Sequence, residues 1–298
     1  MKDGKKMDFI NKFEVYLEKE KNVSDTTLSA YMSDIQEFEL FIKERGKVLE
    51  KVGNADVAAY LMSLNHQGRS NSTVNRKLSS VRSFYQFMRA DGRMSQDPTF
   101  NIKPPKVTRK EVEYLSEEEI VRLLDAPDDS IRGIRDKALF EVMYATGLRA
   151  TEICKLKLAD INFRIGFINV SSDKKPRVVP IGKPARAALK LYIQTSRKEL
   201  LSDKEDDETL FLSYLGDTLT RQGIWKILRF YEAATGLEGR LSPQIIRNTF
   251  AAHMIQNGAD LRSLQELLGH EDIMATKIYL SVTKNRIMDV YDRAFPRA

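Results

Sequence analysis

Apolar side chains recur every three or four residues through most of the first hundred positions, and this period predicts amphipathic helices. Four apolar stripes are present, over residues 9–17, 28–42, 57–64 and 74–88. Ser24 or Asp25 can cap the second helix, and Gly46, Gly68 and Gly92 follow the last three stripes, where helices commonly end. Four short helices of this kind are expected to pack as a compact bundle.

The period changes in the second half of the chain. Residues 163–170 and 177–181 alternate and are rich in Ile and Val, so they predict a β-hairpin joined by SSDKKP. Around this hairpin the spacing is helical. Ser116 and Glu119 match a capping box, and further helices are predicted at 134–144, 183–200, 220–235 and almost continuously from 243 onwards. The expected fold class is mainly α with a small antiparallel β-sheet.

A segment without periodicity separates the two halves. Residues 97–110 read DPTFNIKPPKVTRK, with three prolines and four basic side chains, a composition typical of an extended connection between domains. The sequence therefore predicts an N-terminal helical domain at 1–96, a linker at 97–110 and a second domain at 111–298.

The composition of the chain excludes several kinds of site and segment. The chain has 298 residues, enough for one large domain or two ordinary ones, but only Cys154 and three histidines. One cysteine excludes a disulfide framework and a cysteine-based zinc site, and three scattered histidines argue against a histidine metal centre. The N-terminal segment is too charged for a secretory signal, and no segment has the composition of a membrane span. We expect a soluble protein of a reducing compartment, the cytoplasm, with no membrane partner.

The net charge is +6, and its excess lies in one stretch. Residues 66–110 carry 10 basic and 2 acidic side chains, whereas residues 111–298 carry 28 of each. Such a concentration suits a polyanion, with nucleic acid the first candidate, although a solvated helix face plus a basic linker explains the charge equally well. Four basic residues of the fourth helix lie largely off its apolar stripe and are expected to form a basic surface: Arg76, Lys77, Arg82 and Arg89.

Several polar side chains of the second half are candidates for a functional site. Arg149 follows Gly147, which permits a left-handed turn, and Glu152 is placed to brace the arginine. Lys174 and Lys175 lie at the tip of the predicted hairpin. Taken singly, each of these has an ordinary explanation as a surface arginine or as an exposed turn lysine.

The remaining candidates lie near the end of the chain. Gln244 and Arg247 are three residues apart and share a helix face, and His270 follows a glycine at a predicted helix end. Tyr279 alone would be read as an ordinary core or surface aromatic. His253 lies in an apolar helical stretch, so a packed ring is expected there.

The order and spacing of these residues give them a common meaning. The segment ATGLRATEICKL resembles the first conserved box of the tyrosine recombinases, also called the phage integrase family. The segment LSPQIIRNTFAAHMIQNGADLRSLQELLGHEDIMATKIYLSV resembles the second box almost throughout. The resemblance extends over the whole chain, and the compact length is similar to that of the Xer-type members. It implies an N-terminal SAM-like core-binding domain that clamps DNA and a C-terminal α+β catalytic domain.

The resemblance also implies a reaction. Tyr279 would attack a DNA phosphate, form a 3′-phosphotyrosyl link and release a 5′-hydroxyl, with neither metal nor ATP as a cofactor. Arg149 and Arg247 would hold the phosphate, and His270 would add a hydrogen bond to its oxygens. A hairpin lysine, Lys174 in preference to Lys175, would protonate the departing 5′ oxygen.

Three features depart from the family pattern. Gln244 occupies a position where the family usually has His, and it cannot carry a proton. Asn248 likewise stands where His is usual, and the hairpin is one residue shorter than the common form. These differences put an acid–base role at Gln244 in doubt, but they leave the reaction class unchanged.

The implied partners are double-stranded DNA and further copies of the chain. The linker would contact the DNA backbone through Lys103, Lys106, Arg109 and Lys110. The last helix, with an apolar face from Ile287 to Phe295, would dock into a neighbouring subunit and so link a tetramer on DNA.

The expected task is resolution of chromosome or plasmid multimers. An integrase or transposon recombinase would share the same residues, and a DNA-binding relative that has lost turnover is the alternative from another class. A type IB topoisomerase ranks lower because it normally has a different N-terminal region.

Overall fold

The computed structural model describes residues 9–106, 111–171, 176–202, 204–270, 272 and 274–279. The chain divides into two compact units, Met1–Arg109 and Lys110–Ala298. Within the described ranges, no helix is long and apolar enough to span a membrane. Each unit has its own hydrophobic core.

The first unit contains the four helices that the apolar stripes predict. They are α1 (Phe9–Lys19), α2 (Asp25–Glu44), α3 (Asn54–His66) and α4 (Asn71–Ala90), with a short 3₁₀ turn at Leu49–Lys51. Ser24 caps α2 through its hydroxyl, which accepts a hydrogen bond from the Thr27 amide. Fully buried aromatic rings pack edge to face between helices, as Phe13 does on Phe84 and Phe38 does on Tyr85. The predicted helical bundle is therefore confirmed.

Lys77 corrects the expected basic surface. Its side chain is buried, and its ammonium group lies 3.0 Å from the Asp34 carboxylate and 2.7 Å from that of Glu37. Asp34 is buried as well and also accepts hydrogen bonds from Arg76 and Ser80. The prediction that Lys77 is a surface residue was wrong, because a buried carboxylate on the neighbouring helix α2 requires a cationic partner.

The residues after α4 lie along that helix. Asn71 and Asn75 donate hydrogen bonds of 3.0 Å to the carbonyls of Lys106 and Pro105, and Arg82 donates to the Ile102 carbonyl. Part of the expected linker is thus held by the first unit, and the Arg82 guanidinium is used in holding it. The side chains of Arg76, Arg89, Lys103 and Lys106 are exposed. Arg109 and Lys110 lie outside the described residues.

The second unit is mainly helical around a three-stranded sheet. Its helices are α5 (Glu117–Asp125), α6 (Ile131–Thr146), α7 (Ala150–Lys155), α8 (Lys183–Gln194), α9 (Ser196–Leu201), α10 (Arg221–Thr235), α11 (Pro243–Gln256), α12 (Leu261–Leu268) and α13 (Met274–Lys277), and Leu158–Asp160 form a 3₁₀ turn. The strands are β1 (Ile161–Asn162), β2 (Phe167–Val170) and β3 (Arg177–Pro180), in the order β1-β2-β3. Both pairings are antiparallel, which confirms the expected fold class.

The first strand of the hairpin is shorter than predicted. Residues 163–166 form a turn in which the Asn162 side-chain oxygen accepts the amides of Arg164 and Ile165. Gly166 then takes a positive φ of 78°, so the alternating pattern is broken before β2 begins. Ile168 pairs with Val179 across the hairpin, and both side chains are buried in the core of the second unit.

Two long predicted helices are interrupted. The helix expected at 183–200 breaks at Thr195, whose φ of −117° and ψ of −86° separate α8 from α9. The helix expected from residue 243 onwards divides into α11, α12 and α13, with Gly258 and Gly269 at positive φ between them. The break at Gly269 bears on the candidate site because His270, one of the predicted site residues, follows it directly.

Candidate active site

A glycine turn positions Arg149. Helix α6 ends at Gly147, which adopts the left-handed conformation, and a Cβ atom there would lie 2.3 Å from the Phe250 ring. The chain then reverses, so that Arg149 is the N-cap residue of α7. Glu152 accepts the Arg149 backbone amide at 2.7 Å and its guanidinium at 3.2 Å. The turn and the Glu152 contact are those that the sequence predicts.

Arg247 lies on α11 and is nearly completely buried, with 3% of its surface exposed. Its guanidinium donates to the carbonyl oxygens of Gly147 at 2.5 Å and Leu268 at 2.8 Å, which lie where α6 and α12 end. A cation is favoured there because the carbonyls at a helix C-terminus carry partial negative charge. Burial and the nearby Arg149 lower the pKa of Arg247 to about 10, so it stays charged at neutral pH.

His270 contacts Arg247 directly. The Nε2 atom lies 3.0 Å from an Arg247 nitrogen, and Nδ1 lies 2.8 Å from the Thr276 hydroxyl. Because a guanidinium can only donate, Nε2 must accept, and the ring proton lies on Nδ1. Burial and the Arg247 charge lower the pKa of His270 to about 4. In this arrangement the neutral ring orients Arg247, whereas the family resemblance implies a donor to phosphate oxygens.

Tyr279 is buried, with 1% of its surface exposed. Its hydroxyl donates a hydrogen bond of 3.1 Å to the Asn248 side-chain oxygen, which also accepts the Gln244 amide at 2.8 Å. The Asn248 amide nitrogen donates to the Glu113 carbonyl at 3.0 Å, which fixes the orientation of the group. Burial raises the pKa of Tyr279, against the opposing charges of Arg247 and Arg149, so the phenol is protonated at neutral pH.

Arg177 also belongs to this cluster, although no motif in the sequence marks it as a site residue. Located at the start of β3, it forms two hydrogen bonds with Glu152, at 2.7 and 3.0 Å, and donates to the Leu267 carbonyl at 2.8 Å. The alternation of the predicted strand could have identified it, because Arg177 lies two residues before the buried Val179 and therefore on the same face of β3. Asn248 was seen only as a departure from the family pattern, and nothing in the sequence distinguishes Thr276.

An open cleft of about 700 Å³ lies beside these side chains. Its lining includes Arg149, Gln244 and Arg247, together with four side chains of α10: Arg221, Gln222, Trp225 and Lys226. Among the described residues that line it, four are basic and none is acidic. Such a cleft can bind an anion, and planar guanidinium groups are well suited to the oxygens of a phosphate.

The other predicted site residues are placed differently. Lys174 and Lys175 lie outside the described residues. His253 is buried, and its Nδ1 atom lies 2.9 Å from the Tyr144 hydroxyl, as expected for a packed ring. The described residues that were predicted to bind DNA all belong to the first unit: Arg76, Lys77, Arg82, Arg89, Lys103 and Lys106. Across the part of the chain that the structure describes, no group of three or more His, Cys, Asp or Glu side chains could hold a metal ion.

Both units match known sequence families. Residues 10–92 match the N-terminal SAM-like domain of phage integrases, and residues 113–286 match the phage integrase family. Tyrosine recombinase XerD of Oceanobacillus iheyensis is 38% identical over 292 residues, which cover 97% of this chain and 98% of that protein. Tyrosine recombinase XerC of Halalkalibacterium halodurans is 41% identical over 296 residues, with 97% and 98% coverage.

Two solved structures are also similar to this chain over most of its length. The crystal structure of XerA recombinase is 26% identical and aligns with a TM-score of 0.55, covering 97% of this chain and 99% of that one. XerH site-specific recombinase, bound to palindromic difH substrate in a post-cleavage complex, aligns with a TM-score of 0.74 over 94% of this chain and 83% of that one. At 20% identity, this second likeness concerns the fold alone.

Proposed function

Because the chain belongs to the phage integrase family, we propose that it is a site-specific tyrosine recombinase of the Xer type. It cuts and rejoins duplex DNA, and its task is the resolution of chromosome or plasmid multimers during chromosome partition. The observation that carries this proposal is the convergence of Arg149, Arg247, His270 and Tyr279, which lie far apart in sequence, beside one cationic cleft.

Two of the arginines that line the cleft supply electrostatic stabilisation. When a phenolic oxygen attacks a phosphodiester, negative charge builds on the nonbridging oxygens of five-coordinate phosphorus. Arg149 and Arg247 offer donor groups to those oxygens, and removing one donor from a preorganised site of this kind typically slows a reaction by about 10²–10³-fold. Arg247 is preorganised because two helix-end carbonyls and His270 fix its guanidinium.

Tyr279 must change partners before it reacts. The amide oxygen of Asn248 accepts the phenolic hydrogen bond but cannot take the proton. Attack therefore requires the hydroxyl to leave Asn248 and face the phosphate, where the positive charges of Arg149 and Arg247 favour the phenolate. The phenolic proton is released to solvent in the open cleft, and the proton that the 5′ oxygen receives balances it. The departing 5′ oxygen takes a proton from a hairpin lysine, Lys174 or Lys175, a role that rests on the family resemblance.

Neither metal nor ATP is needed in this scheme. One phosphodiester replaces another, so the energy of the broken bond is kept in the 3′-phosphotyrosyl link and rejoining needs no fuel. The guanidinium pair neutralises phosphate charge, which is the task that a metal ion performs in many other phosphoryl-transfer sites.

The partners in this proposal are duplex DNA and three further copies of the chain. Basic residues of the first unit and of the linker contact the DNA backbone: Arg76, Arg89, Lys103, Lys106, Arg109 and Lys110. Lys77 is not among them, because its charge is used inside the unit. Residues 284–298 link the subunits of the tetramer, and the protein acts in the cytoplasm, where the DNA is.

A trapping experiment tests the proposal. The protein is mixed with a pool of nicked suicide duplexes of varied sequence, in EDTA and without ATP, and covalent adducts are isolated in detergent and their DNA sequenced. We expect adducts on a restricted set of sequences, none with Tyr279→Phe, and wild-type yield with Tyr214→Phe, a change at an exposed tyrosine of the same unit. Adducts that survive Tyr279→Phe, or their absence from the wild type, would refute the proposal.

DNA binding can be tested separately through its dependence on salt. If the basic residues contact DNA phosphates, the affinity for duplex DNA must fall steeply as salt is added, because binding releases condensed counterions. An affinity that does not change between low and physiological salt would contradict this mode of binding.

A further inference from the structure

Glu152 is shared by three arginines. Its Oε1 atom accepts Arg177 at 2.7 Å and Arg149 at 3.2 Å, and its Oε2 atom lies 3.0 Å from Arg177 and 4.0 Å from Arg247. Only Arg177 contacts both carboxylate oxygens through its guanidinium, in the two-pronged geometry that is strongest for this pair of groups. The side chains of Glu152 and Arg177 are about one-tenth exposed, whereas the Arg149 side chain is 43% exposed. Arg247 is buried as well, but its guanidinium lies beyond hydrogen-bond distance of Glu152.

The charges of this cluster leave a surplus. Three guanidiniums and one carboxylate give a net charge of +2, since His270 is neutral. Of the three arginines around Glu152, Arg149 and Arg247 line the cleft, and Arg177 is absent from its described lining. The charge of Glu152 is therefore balanced mainly by the arginine that does not face the cleft.

We infer that Arg177 is a positioning residue for the proposed reaction: it takes up the negative charge of Glu152, so that Glu152 can brace Arg149 while Arg149 and Arg247 keep their charges for the DNA phosphate. This inference rests on the proposed function. Without Arg177, the cationic partners left to the buried carboxylate among the described residues would be Arg149 and Arg247. It would then draw Arg149 away from the cleft and reduce the charge of the cluster to +1.

A second set of contacts supports this role. Arg177 also donates to the Leu267 carbonyl, and a Cβ atom on Gly269 would lie 2.8 Å from the Arg177 guanidinium. The arginine thus packs beneath the turn that precedes His270, which in turn orients Arg247. Through the Arg177 side chain, strand β3 contacts both Glu152, which braces Arg149, and the turn before His270, which orients Arg247.

The test compares single-turnover cleavage rates at saturating concentrations of a nicked suicide duplex. Arg177→Gln should cleave about 100-fold more slowly than the wild type, the scale of loss expected when a reacting group is misplaced by about 1 Å. The double variant Glu152→Gln/Arg177→Gln removes the carboxylate charge as well, so it should recover about tenfold relative to Arg177→Gln. Arg164→Gln is the matched control, since Arg164 is an exposed arginine in the turn before β2, and it should cleave at the wild-type rate.

A change in the substrate tests the charge argument separately. A duplex with a methylphosphonate at the cleaved position lacks one negative charge, so the ratio of wild-type to Arg177→Gln rates should shrink on it. A purely structural role of Arg177 would leave this ratio unchanged. A ratio that does not shrink, or a double variant no faster than Arg177→Gln, overturns the inference.

Folding is monitored through the fluorescence of Trp225, the only tryptophan in the chain. If Arg177→Gln is unfolded at the assay temperature, Arg177→Lys decides, because it keeps the charge beside Glu152 but loses the two-pronged contact. It should cleave within about tenfold of the wild type, and a loss of about 100-fold would overturn the inference. A wild-type protein that forms no adduct refutes the proposed recombinase activity, whereas an active wild type with an equally active Arg177→Gln refutes only the role of Arg177.

Discussion

Replacing Gly147 with Ala should damage the second unit in two separable ways. The residue has a φ of 58°, and placing an L-residue in the left-handed conformation costs about 1–2 kcal/mol. The new methyl group would also lie 2.3 Å from the Phe250 ring, and relieving such overpacking typically costs about 1–3 kcal/mol more. We expect Gly147→Ala to lower the free energy of unfolding by about 2–5 kcal/mol.

The matched control is Gly239→Ala. Gly239 lies in the same unit at a φ of 73°, but a Cβ atom there would meet nothing within 4 Å, so only the backbone cost of about 1–2 kcal/mol applies. Urea unfolding followed by the fluorescence of Trp225 reports on this unit and measures both variants.

The substitution should also affect cleavage. The Gly147 carbonyl accepts the Arg247 guanidinium, and Phe250 lies on the same helix as Arg247, so relief of the clash must displace the arginine. A displacement of about 1 Å can cost about 100-fold in rate, whereas Gly239→Ala should cleave normally. Equal losses of stability in the two variants, or full activity of Gly147→Ala, would refute the reasoning.

Three further outcomes are expected. Lys77→Met should lower the free energy of unfolding of the first unit by about 3 kcal/mol, because it removes the partner of a buried charge, whereas Arg89→Gln should weaken DNA binding with little loss of stability. Unfolding followed by circular dichroism measures the first effect, and fluorescence anisotropy with labelled DNA measures the second. The reverse pattern would mean that Lys77 contacts DNA. Since the pKa of His270 is lowered to about 4, the cleavage rate should show no inflection from His270 between about pH 5 and 8. The contribution of His270 to the free energy of unfolding is complete above about pH 6.5 and is lost as the pH falls towards 4, where the unfolded ring binds a proton that the folded ring does not. A rate inflection near pH 6.5 that His270→Gln removes would contradict this. Asn248→Ala should cost about 1–3 kcal/mol in urea unfolding because the buried Tyr279 hydroxyl loses its acceptor, and an unchanged midpoint would show that this hydrogen bond is not formed.

The elements that the sequence predicted well are those stabilised by neighbours along the chain. Ser24 caps its helix, and Ser116 and Glu119 form both hydrogen bonds of a capping box. Gly147 ends α6 in the left-handed conformation that its position suggests. Each of these features depends on contacts within a few residues, so a local pattern contains the information that forms it.

The errors arose where a distant residue or a local side chain competes with the pattern. The strand expected from residue 163 begins only at 167, because the Asn162 side chain captures two amides in a turn. Lys77 looks like a surface residue from its helix position, but Asp34, 43 residues earlier, holds it inside the bundle.

For the candidate site, the sequence by itself determined which residue types are present and in what order: two arginines, a histidine after a helix-ending glycine, and a tyrosine. Their environments were decided by tertiary structure. Arg247 reaches a carbonyl 100 residues away, and Arg177 reaches a carboxylate 25 residues away. The physical reason is that charge balance, desolvation and tautomer depend on the groups that packing brings within a few ångströms, and periodicity contains no information about those distances. Hence the chain order indicated a phosphate-binding chemistry, whereas only the folded unit shows a neutral His270, a Tyr279 held by Asn248, and a third arginine opposite Glu152.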